Sequence, residues 1–162
     1  MNEFVAITYL TGDATKPQMA GNQIIAHVCN DIGAWGKGFV LALSMRWSQP
    51  ENQFREWYRS RSQNDFELGA LQLVHVEQSL WVANMIGQHG IKALRNAPPP
   101  IRYDALEKCL CRLAERALDL NASVHMPRIG CGLAGGKWDC VEPLITNQLC
   151  NQGVTVFVYD FE

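Results

Sequence analysis

The chain has no unbroken apolar run near the ~18 residues that a membrane-spanning helix needs. Its start lacks a basic segment followed by a long apolar one, so no secretory signal is expected and a cytoplasmic location is the expectation. Charge of either sign is not in excess. The formal net charge of −2 gives no general attraction to nucleic acid or acidic membrane, so any polyanion site must be local. His-Glu-x-x-His is absent, and Cys109 and Cys111 stand two apart in a helical pattern, pointing to different sides, so no metal is indicated. Also missing are Gly-x-x-x-x-Gly-Lys-Ser/Thr, the Gly-x-Gly-x-x-Gly of dinucleotide folds and a Gly-x-Ser-x-Gly elbow. Six cysteines could close three bridges, but a 162-residue chain that is 48% hydrophobic can build a core without them. Reduced thiols are expected.

What is present alternates between two periodicities. Phe4–Leu10 and Gln23–Cys29 read as strands, the second so continuously apolar that burial on both faces is expected. Phe39–Trp47 and Glu51–Arg61 read as helices, the latter placing Phe54, Trp57 and Tyr58 on one core-facing side. Leu68–Val76 and Leu80–Ile86 read as two strands. A long loop through Pro98, Pro99 and Pro100 follows. Tyr103–Leu120 is the clearest helix, with Leu106, Cys109, Leu110, Leu113 and Ala117 along one side. From Ser123 an apolar run reads as a strand that ends abruptly at the glycines beginning with Gly130. A helix over Trp138–Cys150 is expected to open with a capping box of Asp139 and Glu142, with Pro143 near its first turn and Gly153 beyond its end. Val154–Tyr159 closes the series. Alternation of this kind predicts one α/β layered domain over residues 1–162.

Two of the strands run straight into glycine. Gly33, Gly36 and Gly38 follow the second strand, and Gly130, Gly132, Gly135 and Gly136 fall within seven residues after the fifth. A glycine loop feeding a helix lets backbone N–H groups approach a phosphate, and the helix start favours the same negative charge. Two such loops predict a diphosphate gripped from both sides at the carboxyl ends of a sheet. Ordinary tight turns are the other reading.

The order Thr11-Gly-Asp-Ala-Thr15, His27-Val-Cys-Asn-Asp31, Gly33-Ala-Trp-Gly-Lys-Gly38, Pro98-Pro-Pro-Ile-Arg102, Met126-Pro-Arg-Ile-Gly-Cys-Gly-Leu133 with Trp138, and Val156-Phe-Val-Tyr159 resembles the macrodomains over nearly the whole chain. Within them it is similar to the small branch containing the terminal ADP-ribose glycohydrolases and the yeast ADP-ribose-1″-phosphate phosphatase. The resemblance implies a three-layer α/β/α fold with a mixed six-stranded sheet and an ADP-ribose cleft at the strand ends. By position it implies that Asp13 and Ala14 meet adenine, with Phe161 packing on the ring. Asn30, Gly36, Lys37 and Gly38 would surround the distal ribose and phosphate, and Gly130, Cys131, Gly132, Leu133 and Ala134 would cradle the diphosphate. Gln88 and Ala134 stand where the glycohydrolases carry a lysine and an aspartate. His27, Asn30 and Asp31 are then the catalytic candidates. His27 reads either as an acid–base or as a core histidine, and Asp31 either as the carboxylate that orients a water or as an idle loop residue.

The implied activity is hydrolysis at C1″ of ADP-ribose derivatives without a cofactor, and the alternative is a non-catalytic ADP-ribose reader. Partners would be ADP-ribose or a derivative, including an ADP-ribosylated protein or nucleic acid, and no membrane. His89, Lys92, Arg95 and Arg102 form a basic neighbourhood for a terminal phosphate or acceptor.

Overall fold

A computed structural model describes residues 5–92 and 94–161. Phe4, at the start of the expected first strand, and Ala93, in the proline loop, lie outside the described residues. Six strands form one sheet in the order β1-β6-β5-β2-β4-β3. They are β1 (Thr8–Thr11), β2 (Gln23–Asn30), β3 (Leu71–Glu77), β4 (Leu80–Gln88), β5 (Ser123–Pro127) and β6 (Val156–Asp160). All neighbours are parallel except β3 and β4, which form an antiparallel pair. The helices are α1 (Phe39–Arg46), α2 (Gln49–Arg59), α3 (Tyr103–Leu120) and α4 (Trp138–Gln148).

Two cores explain the three layers. Leu106, Leu110 and Leu113 of α3 and Val141 and Ile145 of α4 are fully buried against one sheet face. Leu43 of α1 and Phe54 and Trp57 of α2 pack on the other. Strand β2 feeds both: Ile24 and Ala26 join the first core, Ile25 and Cys29 the second. Its continuous apolar run is therefore the expected one for a central parallel strand. Each fully buried leucine contributes roughly 2 kcal/mol of transfer free energy. In α3 the split is clean, with Cys109 buried and Cys111 exposed, and all six cysteines are free.

Three local expectations need correction. The first strand covers only Thr8–Thr11, and Val5–Ile7 carry no regular structure. The N-cap of α4 is Lys137 and no side chain caps it. Glu142 turns instead to the hydroxyl of Tyr9 and, at 3.2 Å, to Nε1 of Trp138, a tertiary attraction that outcompetes the local box. Pro143 lies inside the helix, past its first turn, where it deprives the Asp139 carbonyl of an i→i−4 donor. Gly153 does end the following 3-10 turn in the left-handed region (φ 87°), its N–H bonded to Cys150 O.

Candidate functional site

The site is built where β2, β4 and β5 end. Between Cys29 and Asn30 the β2/β4 register shifts, so that Asn30 pairs with Gln88 while Cys29 pairs with Ile86. Gly87 is the extra residue, a bulge of the kind that re-aims the next side chain. Asn30 and Gln88 thereby become the floor of a cleft. One hollow of ≈ 440 Å³ is lined by Asn30, Trp35, Gly36, Lys37, Arg55, Gln88, Lys92 and Leu133, among others. A second, of ≈ 210 Å³, is lined by Lys37, Gly38, Gln88, Arg128, Gly130, Gly132, Leu133 and Ala134, among others. Lys37, Gln88 and Leu133 belong to both, so the two hollows form one cleft.

The first wall is the loop after β2. Asn30 Oδ1 accepts the N–H groups of Ile32 (3.1 Å) and Ala34 (3.0 Å), and Nδ2 donates to Ala34 O (2.8 Å). Trp35 is buried beneath the loop, its Nε1 donating to Ser44 Oγ at 2.8 Å. The second wall is the loop after β5. Gly136 N–H donates to Gly130 O at 2.7 Å, which closes the loop on itself. The N–H groups of Gly132, Leu133 and Ala134 have no acceptor among the described residues, nor do those of Gly36, Lys37 and Gly38. Both walls therefore offer donors to an anion between them.

The proline loop backs the second wall, with Ile101 against Gly130 and Pro99 against Gly135, and its residues 98–102 line neither hollow. Arg102 donates from Nη1 to the carbonyls of Pro99, Pro100 and Ile101 at 2.6, 3.1 and 3.1 Å. Ile101 N–H in turn reaches Ala134 O at 3.0 Å and ties this loop to the second wall.

The structure gathers Asn30, Gly36, Lys37, Gly38, Gln88, Gly130, Gly132, Leu133 and Ala134 around the cleft. Asp13 lines a separate hollow of ≈ 380 Å³ beside Tyr159, and its Oδ1 holds the Thr15 N–H and hydroxyl at 2.9 and 2.7 Å. Ala14 is buried, while Phe161 is 82% exposed. Cys131 departs from the expected cradle: its N–H turns back to Arg128 O and its side chain packs on the α3/α4 core.

Two catalytic candidates are already engaged. His27 borders the second hollow but is buried against Trp35 and Phe39. Asn84 Nδ2 donates to Pro50 O and Gln72 Oε1, so its Oδ1 must accept from His27 Nε2–H, at 2.5 Å. Burial lowers the His27 pKa to about 4, partly opposed by Asn84. It is a neutral core histidine, held in one tautomer. Asp31 lines neither hollow of the cleft; Oδ2 meets His89 Nδ1 at 2.7 Å and Oδ1 accepts Gly90 N–H at 2.8 Å. Of the basic neighbourhood, Lys92 faces the larger hollow, while Arg102 is committed to carbonyls and His89 to Asp31.

Sequence reasoning missed Trp35 as the anchor of the first loop, and Arg55 and Arg128 as lining residues. A tryptophan between glycines was the available signal for the first. The two arginines carry no local signal.

A three-layer α/β/α sheet with a glycine-walled cleft at its carboxyl strand ends places the chain among the α/β folds whose strand-end loops can offer backbone donors to an anion. No family model matches the chain. A solved macrodomain protein from Streptomyces coelicolor is 58% identical, covers 95% of this chain and 98% of that one, and superposes with a TM-score of 0.86. The chain therefore belongs to the macrodomain family.

A zebrafish protein named chromodomain-helicase-DNA-binding protein 1-like is 32% identical over 98% of the chain, which spans only 16% of that protein. An ADP-ribose 1″-phosphate phosphatase of Lodderomyces elongisporus is 25% identical over 96% of this chain and 100% of its own length. Thermosipho africanus DarTG, solved in complex with ADP-ribose, shares the fold at 18% identity and a TM-score of 0.74, covering 97% of this chain and 42% of that one. Among the described residues no helix is long and apolar enough to cross a membrane.

Proposed function

We propose that the cleft binds ADP-ribose and that the protein hydrolyses derivatives of it at C1″. The observation carrying this reading is the pair of glycine walls, whose residues 36–38 and 132–134 line the cleft with N–H groups that have no acceptor among the described residues. The diphosphate lies along Gly130, Gly132, Leu133 and Ala134. The distal ribose stands over Asn30, Gly36, Lys37, Gly38 and Gln88. The adenine lies toward β1 and β6, where Asp13 keeps Oδ2 for its amino group and Ala14 and Phe161 flank it. The phosphatase named among the relatives supports a substrate substituted at C1″.

In hydrolysis, water gives its hydroxyl to C1″ and its proton leaves with the departing acceptor. The walls contribute by holding the reacting carbon in place and by opposing the charge of the diphosphate. Asp31 is the carboxylate nearest the distal end in sequence. It acts on water only by exchanging its contact with His89.

A non-catalytic reader is the second reading, favoured by the engaged Asp31, the buried His27 and the non-ionisable Gln88 and Ala134. Calorimetry with ADP-ribose, ADP and AMP tests the binding site, and equal affinity for all three would end the ADP-ribose assignment. A panel of ADP-ribose-1″-phosphate, O-acetyl-ADP-ribose and glutamyl-, seryl- and DNA-linked ADP-ribose tests turnover. Binding without turnover on the whole panel identifies the reader.

A further inference from the structure

Arg128 is the first residue after β5 and the first of the second glycine loop. Its guanidinium makes a two-pronged pair with Asp160, the last residue of β6, with Nε to Oδ1 at 2.6 Å and Nη2 to Oδ2 at 3.0 Å. The same group lies against two aromatic rings, its Cζ 5.2 Å from the centre of Tyr9 on β1 and 5.0 Å from that of Trp138. Those rings meet edge to face at 6.3 Å, and Trp138 Nε1 donates to the Tyr9 hydroxyl at 3.0 Å. Trp138 opens α4, immediately after the loop ends. One side chain at the loop's start thus touches the residue that follows its finish, a residue of β1 and the end of β6.

We propose that Arg128 is a positioning residue for the diphosphate: by gripping Asp160 and lying between Tyr9 and Trp138, it holds the 128–137 loop in the shape that presents the Gly132, Leu133 and Ala134 N–H groups. The inference rests on the reading that the cleft takes ADP-ribose. A flat guanidinium with several donors can pair two oxygens and lie on rings at once, which a lysine ammonium cannot. The Asp160 carboxylate already answers its charge, so the side chain acts on the loop and not on the phosphate. Because Asp160 directly precedes Phe161, the same pair also couples the loop to the adenine end of the cleft. Arg128 and Asp160 are 39% and 46% exposed, so replacing either opens no cavity in the core.

The test compares Arg128→Lys with Asp160→Asn in the full chain. Calorimetry reads ADP-ribose affinity, and amide hydrogen exchange reads Gly136, whose N–H closes the loop. Both variants are expected to bind ADP-ribose about tenfold more weakly, the scale of one charge-assisted hydrogen bond. Both should speed exchange at Gly136 while the amides of α3 keep their protection. If Asp160→Asn binds as well as or better than the parent while Arg128→Lys loses affinity, Arg128 meets the phosphate directly and the positioning role is overturned. Unchanged exchange at Gly136 in both variants overturns it too. Failure of the parent to bind ADP-ribose would instead sink the functional reading, and the exchange measurement would still decide whether the latch exists.

Discussion

The two glycine loops follow buried parallel strands and lead into helices, yet they are held by opposite means. The first is held by side chains: Asn30 bonds three backbone groups of its own loop, and Trp35 is sunk into the α1/α2 core. The second is closed on itself by its own backbone where side chains are lacking, with Arg128 gripping Asp160 from outside the turn. A Cβ at Gly136 would lie 2.4 Å from Gly130 O. Even the strands beneath them are alike, since each buries a histidine near its carboxyl end, His27 four residues before Asp31 and His125 three before Arg128. The same donor geometry can thus be reached by filling a loop from within or by emptying it.

Acid should strain both supports at once. Burial holds His27 and His125 near a pKa of about 4, against roughly 6.5 in the unfolded chain. As pH falls, the unfolded state takes up protons first. The stability that is complete above about 6.5 therefore declines until about 4, by roughly 3 kcal/mol for each histidine. Urea unfolding at pH 7, 5.5 and 4.5 measures it. Replacing either histidine with glutamine should flatten its share of the slope, and an unaltered slope in both variants would contradict the burial account.

Gly136→Ala should cost about 3 kcal/mol of stability and abolish ADP-ribose binding, because the neighbour to be displaced is backbone. Gly33→Ala makes the matching strike on the first loop, since its Cβ would lie 2.4 Å from the Tyr58 ring at a φ of +72°. An unchanged urea midpoint in Gly136→Ala would refute the idea that the second loop depends on empty space.

Asn30→Ala should lose about 2 kcal/mol by unsatisfying the N–H groups of Ile32 and Ala34. Asn30→Asp keeps the acceptor and loses the donor to Ala34 O, so it should fall between the two in the same measurement.

The smallest stability effects belong to Gly36 and Gly132, where an added Cβ meets nothing within 4 Å. Alanine at either should shift stability by less than about 0.5 kcal/mol. Gly132→Ala should nonetheless weaken ADP-ribose binding in calorimetry, because its methyl group would stand where the phosphate approaches. Equal affinity with the parent would move the diphosphate away from this loop.

Legibility in the sequence followed the range of the forces involved. Tyr103–Leu120 is read end to end because its burial periodicity is local, and its closing Asn121 adopts the left-handed cap conformation. Strand β2 and the two glycine loops are equally plain, since apolar continuity followed by glycine is a local signal. Asp139 and Glu142 failed as a box because Tyr9, 133 residues from Glu142, competes for the same carboxylate. His27 and Asp31 looked like chemistry because their types are chemical. Only the sheet register, which sets Asn84 beside His27, and the return of the chain to His89 and Gly90 show their side chains already engaged. Arg128 left no trace because its partners come from β1, β6 and α4.

The proline loop behind the second glycine wall has a thermodynamic consequence. Three prolines restrict the backbone before folding begins, and Arg102 then gathers the carbonyls of Pro99, Pro100 and Ile101 under one nitrogen. Little conformational entropy remains in the support of that wall for a ligand to remove, so association against the wall should resemble docking onto a finished surface. Affinity gained in this way comes from order established before the ligand arrives, and it does not require additional contacts.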